Sequence, residues 1–182
     1  MTFKRWFILS AIVFFVAVII GMITVPNELP QELLDVIPKD IVNLTPLALF
    51  IFIILKNCLA VLVSFILSPL LLVFPFYSLF FNGWFFGAVA AIYLRENSFF
   101  ELLAGILPHG IIEIPAYLIA QAAAFSFGAA VILAIFKKER RPQVVPGFKQ
   151  NVRYLIVAIL LLIPAAAIEA FVTPSLLSWF NS

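Results

Sequence analysis

Charge is what this sequence has least of. Asp, Glu, Lys and Arg make up 11% of 182 residues, apolar residues make up 65%, and the mean hydropathy is +1.19. A water-soluble domain of this size could not cover so much apolar surface, which excludes a soluble enzyme and a nucleic-acid-binding protein. Cysteine is nearly absent as well. The single Cys58 lies inside an apolar run, so no intrachain disulfide can form and the redox compartment is not legible. The in/out alternation of barrel strands is missing, as is any convincing internal repeat. Also missing are His-Glu-x-x-His, Gly-x-Ser-x-Gly and a cysteine pair, so neither an enzyme nor a cofactor is expected.

What is there is apolar length. Only helices or closed barrels satisfy their backbone in hydrocarbon, so the expected fold is all-α, a polytopic transmembrane bundle of about five segments with broken helices. Lys4 and Arg5 precede an uncharged run over 6–25, about 20 residues and enough to span a core of roughly 30 Å. Its basic start is like a signal peptide's, but no small-x-small cleavage pattern follows, and it reads as an uncleaved anchor. From Pro26 to Pro46 the chain carries Glu28, Glu32, Asp35 and Asp40 against Lys39, with four prolines, an acidic loop with room for a short interfacial helix.

The apolar stretch that follows is about twice one span and predicts a hairpin, 47–67 and 70–94, turning at Ser68-Pro69. After the polar loop of Arg95, Glu96, Asn97 and Glu101, the run 102–136 is too long for one straight crossing. A second hairpin or one crossing broken near Pro108 would absorb it. The basic cluster Lys137, Lys138, Arg140, Arg141, Lys149 and Arg153 favours the broken crossing, which alone leaves it on the side of Lys4 and Arg5. A last span covers 154–172, with Trp179 an interfacial anchor. The whole chain is then a single multi-pass domain of the cell membrane, with its amino terminus cytoplasmic and its carboxyl terminus external.

Polar groups inside hydrocarbon are costly and mark functional or packing sites. Here they are Lys56 and Asn57 on span two, Asn82 on span three, His109, Glu113, Tyr117 and Gln121 on segment four, and Glu169 and Thr173 on the last span. His109, Glu113, Tyr117 and Gln121 follow at steps of four and form one helical stripe. Beside it Ala116, Ala120, Ala124 and Gly128 repeat at the same step, a small-residue face that admits a neighbouring helix. At 1.5 Å per residue, His109 and Glu169 lie roughly 10 Å deep and Lys56 and Glu113 roughly 15 Å deep.

Matched depths predict partners, with His109, Glu113, Asn82 and Glu169 in one cluster and Lys56 beside Glu113. Stranding one member of a buried ion pair costs about 3–5 kcal/mol, so Glu113→Gln is expected to destabilise more than Gln121→Leu. Asn82-Gly83, Pro108-His109-Gly110 and Pro115 are candidate backbone breaks, with Gly83, Pro108, Gly110 and Pro115 as hinges. The Phe-rich run 74–86, with Tyr77 and Trp84, packs against lipid and neighbouring helices.

Three stretches carry a resemblance: Phe81-Asn82-Gly83-Trp84-Phe85-Phe86-Gly87, Pro108-His109-Gly110-Ile111-Ile112-Glu113-Ile114-Pro115-Ala116, and Ile168-Glu169-Ala170-Phe171-Val172-Thr173-Pro174. In order and spacing the chain resembles the stage II sporulation protein M family of integral membrane proteins, from roughly Pro46 to its end. Such proteins have Asn-Asn where this chain has Lys56-Asn57, so no role carries over to position 56. The resemblance implies a multi-span component of a membrane complex. The sporulation member works with peptidoglycan-degrading partners during engulfment, a setting that does not transfer, and no particular reaction is implied.

Three functions compete. A scaffold or assembly component would use the polar cluster to fix the bundle and would bind further copies of itself or other membrane-complex proteins within the bilayer. A permease or channel would use the same groups and the broken helices to pass a small solute or ion. An intramembrane enzyme could use His109 and Glu113 as metal ligands with Glu169 as a third, but no metal motif is present and no metal is expected. The scaffold reading leads, because the loops are short and no soluble domain is present.

The positive-inside bias makes the topology testable. In a Cys58→Ser background, Lys39→Cys should react with an impermeant maleimide from outside intact cells and Arg140→Cys only after the cytoplasmic face is opened. Labelling of Lys39→Cys from the cytoplasm alone would mean the inverted topology.

Overall fold

The computed structural model describes residues 2–25, 44–96 and 98–179. Every element among them is helical: α1 (Phe3–Thr24), α2 (Pro46–Leu67), α3 (Val73–Glu96), α4 (Phe99–Phe136), α5 (Val144–Ala167) and α6 (Thr173–Ser178). A 3-10 turn at Lys138–Gln143 links α4 to α5, and a π turn at Ile168–Val172 links α5 to α6. Five helical stretches are long and apolar enough to cross a membrane, with Lys138–Ser178 counting as one. The acidic loop expected to hold an interfacial helix lies almost wholly outside the described residues.

Local chemistry sets the helix starts. Thr45 caps α2, its hydroxyl accepting from the Ala48 amide at 3.3 Å, with Pro46 in the first turn where a missing N–H costs nothing. Ser98 caps the start of α4 with the help of Glu101. The Ser98 hydroxyl accepts from the Glu101 amide at 3.2 Å and donates to its carboxylate at 3.0 Å. The hairpin turns where Ser68-Pro69 predicts, but it runs on to Leu72, with Leu71 and Leu72 both left-handed at φ 55° and 60°. That backbone is unfavourable for leucine and is held from below by α4. A Cβ on Gly128 would overlap the Ser68 carbonyl oxygen, so only glycine lets the turn sit there.

Two expectations about breaks need correction. Segment four is one unbroken helix of 38 residues, with Pro108 and Pro115 inside it, so neither proline ends it. Each removes a single N–H donor, and the bonds on either side hold the rod together. At about 57 Å the helix exceeds a hydrocarbon core of about 30 Å, so tilt and overhang replace the break. Gly83 is likewise no hinge, since α3 is continuous and a Cβ there would lie 2.6 Å from the Phe14 carbonyl oxygen. The irregularity falls instead at Ile168–Val172, near the end of the last span. That span also begins earlier than 154, because the helix starts at Val144 and takes Lys149 and Arg153 into its first turns.

Gly83 belongs to a close crossing of α1 on α3. The buried face of α1 is Ser10, Phe14, Ala17 and Gly21. Cβ atoms on Gly21 and Gly87 would each overlap a backbone oxygen of the other helix, that of Trp84 and of Val18 respectively. Residue numbers rise together along this contact, so α1 and α3 run parallel, as alternate crossings of one membrane must. All five spans meet in one core, with Phe14, Val61, Leu79, Ala120 and Leu162 among its buried members. The face Ala116, Ala120, Ala124 and Gly128 is buried throughout. On the outside of α3, Tyr77, Phe81 and Phe85 stack in a ladder at 5.8 and 6.4 Å, the lipid-side packing expected of the Phe-rich run.

The glycine contacts have a direct consequence. Gly21→Ala and Gly87→Ala should each cost about 1–3 kcal/mol by forcing the helices apart, and should lower the melting temperature in detergent. Gly147→Ala meets nothing within 4 Å and should leave melting unchanged or raise it through helix propensity. Wild-type melting for both Gly21→Ala and Gly87→Ala would mean that the crossing does not form.

Candidate intramembrane polar site

The stripe on α4 stays on one face, and the structure divides it into two halves with different surroundings. The Gln121 half is closely paired. Gln121 is 0% exposed and is held on both sides: Ser64 of α2 donates to its Oε1 at 2.5 Å, and its Nε2 donates to Ser78 of α3 at 3.1 Å. The Ser78 and Tyr117 hydroxyls are hydrogen-bonded to each other, and Asn82 donates to the Tyr117 hydroxyl and to the Ser78 carbonyl, both at 2.8 Å. Three helices are thereby tied by side chains that leave little polar capacity unused.

The His109 half borders a cavity of about 350 Å³. Asn57 donates to Glu113 Oε1 at 2.9 Å, and Thr173 Oγ1 lies 3.5 Å from His109 Nδ1. One ligating atom from each of His109, Glu113 and Glu169 lies within 4.8 Å of the others, well inside the reach that a single cluster requires. Lys56, Asn57, Asn82 and Gly110 also line the cavity. Gly110 is buried and meets only Ile106 and Ile114 of its own helix, so it keeps space open on the cavity wall.

The exposed members of the lining show where this cavity opens. They are Phe52 and Lys56 on α2 and Phe85 and Val89 on α3, so the mouth lies between those helices. Lys56 and Phe85 both sit near the middle of their helices, which puts the mouth on the side of the bundle at mid-membrane depth.

Lys56 and Asn82 line the same cavity as His109, Glu113 and Glu169, but the direct bonds are made by other pairs. The hydrogen bond to Glu113 comes from Asn57, while Lys56, exposed at the mouth, acts on Glu113 and Glu169 by charge without an ion pair within 4 Å among the described residues. Depth along an axis leaves rotation about it open, and one residue of helix is about 100°. Asn82 bonds to Tyr117 rather than to the acids, and since both also line the cavity they join the two halves. Two members went unnoticed in the sequence, Ser64 and Ser78. Each shares a face with a flagged amide, Ser64 seven residues after Asn57 and Ser78 four before Asn82, a periodic signal that could have found them.

The sequence model described as Stage II sporulation protein M matches residues 10–174. An uncharacterized protein of the archaeon Methanocaldococcus jannaschii is 31% identical over 175 residues, covering 94% of this chain and 96% of its own length. No solved structure matches the chain.

The network reverses the order of substitution effects expected from an ion pair. Gln121→Leu strands the Ser64 and Ser78 hydroxyls and should cost about 1–2 kcal/mol. Glu113→Gln keeps a carbonyl oxygen for Asn57 and should cost less. Detergent melting curves of the two variants check this, and the opposite order would point to an ion pair between Lys56 and Glu113.

Proposed function

Since the chain belongs to the stage II sporulation protein M family, we propose that this multi-pass membrane protein is a scaffold or assembly component of a membrane complex, built from further copies of itself or other membrane proteins. The observation that carries this reading is Lys56, an ammonium group exposed at mid-membrane depth where the cavity opens between α2 and α3. From the cavity side its charge is met by Glu113 and Glu169 without a direct ion pair, and on the lipid side an exposed cation at the centre of a span costs about 2.5 kcal/mol. A partner helix bringing a carboxylate or hydroxyl to the mouth removes that cost and covers Phe52 and Phe85 beside it. The network around Gln121 supports the same reading, since it ties α2, α3 and α4 to one another. In this reading the amino terminus and the Lys137 to Arg153 segment face the cytoplasm, and no reaction is assigned to the protein.

A second reading, a permease for a small solute or ion, is favoured by the cavity itself. Its volume of about 350 Å³ holds on the order of ten waters and is bordered by acid, base and amide groups.

Reconstitution separates the two. As a scaffold, the purified protein should add no flux of protons, alkali cations or chloride to liposomes, and Lys56→Leu should shift it from a larger to a smaller species on native gels of mildly solubilised membranes. Flux in the wild type, lost in a Glu113→Gln variant of unchanged melting temperature, would establish the permease reading instead.

A further inference from the structure

His109, Glu113 and Glu169 come together by two separate devices. His109 and Glu113 are one turn apart on α4 and share a face. Glu169 arrives from the last span on the π turn Ile168–Val172, a local widening that re-aims a side chain and recurs at functional sites. The surroundings then prepare each group. Thr173 Oγ1 donates to the Ile168 carbonyl at 3.3 Å, so toward His109 it acts as an acceptor, holding the ring proton on Nδ1 and leaving the Nε2 lone pair free. Asn57 occupies Oε1 of Glu113 and leaves its second oxygen unused. Glu169 accepts no hydrogen bond among the described residues.

We propose that His109, Glu113 and Glu169 are the ligands of a divalent transition-metal cation such as Zn²⁺ or Mn²⁺, with a further coordination position open to the cavity. One imidazole with two carboxylates suits these ions. Cu⁺ would call for thiolate or thioether ligands, and Mg²⁺ and Ca²⁺ for oxygen alone. Lys56 supplies one positive charge near the two carboxylates without contacting either, and a divalent cation in contact with both would complete their neutralisation. Metal–ligand distances of about 2.1 Å put tetrahedral ligand atoms about 3.4 Å apart, so from within 4.8 Å the three close by side-chain rotation. Three protein ligands beside an open space is the arrangement of sites that keep a water or another ligand on the metal. Asn57 and Thr173 are the positioning residues, each holding one ligand from behind. This site stands whether the protein acts as scaffold or permease.

Tag-free protein in detergent, stripped with chelator, loaded with Co²⁺ and desalted, tests the site. About one cobalt per chain should be retained, with a visible d–d spectrum that Zn²⁺ abolishes, and Zn²⁺ should raise the melting temperature. His109→Ala and Glu169→Gln should lose the metal. Asn57→Ala and Thr173→Val keep all three ligands and should bind about 10–100-fold more weakly. Gly147→Ala should bind as the wild type does. If a ligand variant fails to fold, the wild-type spectrum and the Thr173→Val titration still decide. A well-folded wild type that retains no cobalt, or unchanged affinity in both Glu169→Gln and Thr173→Val, overturns the site.

Discussion

In hydrocarbon an amide or hydroxyl has no water to fall back on, and every polar group on α4 must find its partner within the protein. That constraint organises the bundle. Gln121 sits at the centre of the long helix with no exposure, and it reaches α2 through Ser64 and α3 through Ser78. Rotating α4 would break both contacts together. The side chains of the network therefore set the azimuth of α4 against two neighbours, which van der Waals packing of alanine and leucine alone would leave loosely specified. Small residues beside the stripe let this happen at short range, because Ala116, Ala120 and Ala124 are almost fully buried and bring the backbones close.

Glycine does the same for α1. Gly21, Gly83 and Gly87 bring α1 and α3 to backbone contact, and Gly128 seats the left-handed Leu71-Leu72 turn on α4. Here glycine provides room rather than flexibility. Motif reading treats Asn82-Gly83 as a possible break, but the glycine serves proximity and the asparagine the hydrogen bonds to Ser78 and Tyr117. The π turn at Ile168–Val172 is the contrasting case, an interruption of helix geometry at the residues that deliver Glu169 to the cavity.

One helical stripe thus serves two purposes along its length. Toward Gln121 the groups are paired and enclosed, and they hold the fold. Toward His109 they border an open space, and their hydrogen bonds leave lone pairs unused. A structural role for polar glue and a ligand-binding role for charged groups need not compete for the same residues, because the stripe is long enough to hold both.

Much of this was legible in the sequence. Hydropathy and length determined an all-helical membrane protein with five spans, since nothing else buries so apolar a chain, and steps of four put His109, Glu113, Tyr117 and Gln121 on one face whatever surrounds the helix. Capping and turn chemistry located the hairpin at Ser68-Pro69 to within a few residues. The tertiary structure alone decided which face of each helix meets which neighbour. Equal depth suggested Lys56 for Glu113, and the two do interact by charge, but depth says nothing of rotation, and the hydrogen bond went to Asn57 one position on. Proline and glycine were ambiguous for the same reason: Pro108 and Pro115 are compatible with a break or with a continuous rod, and Gly83 with a hinge or a contact. Whether a freed backbone group or a missing side chain matters depends on what packs against it, and that neighbour comes from a distant part of the chain.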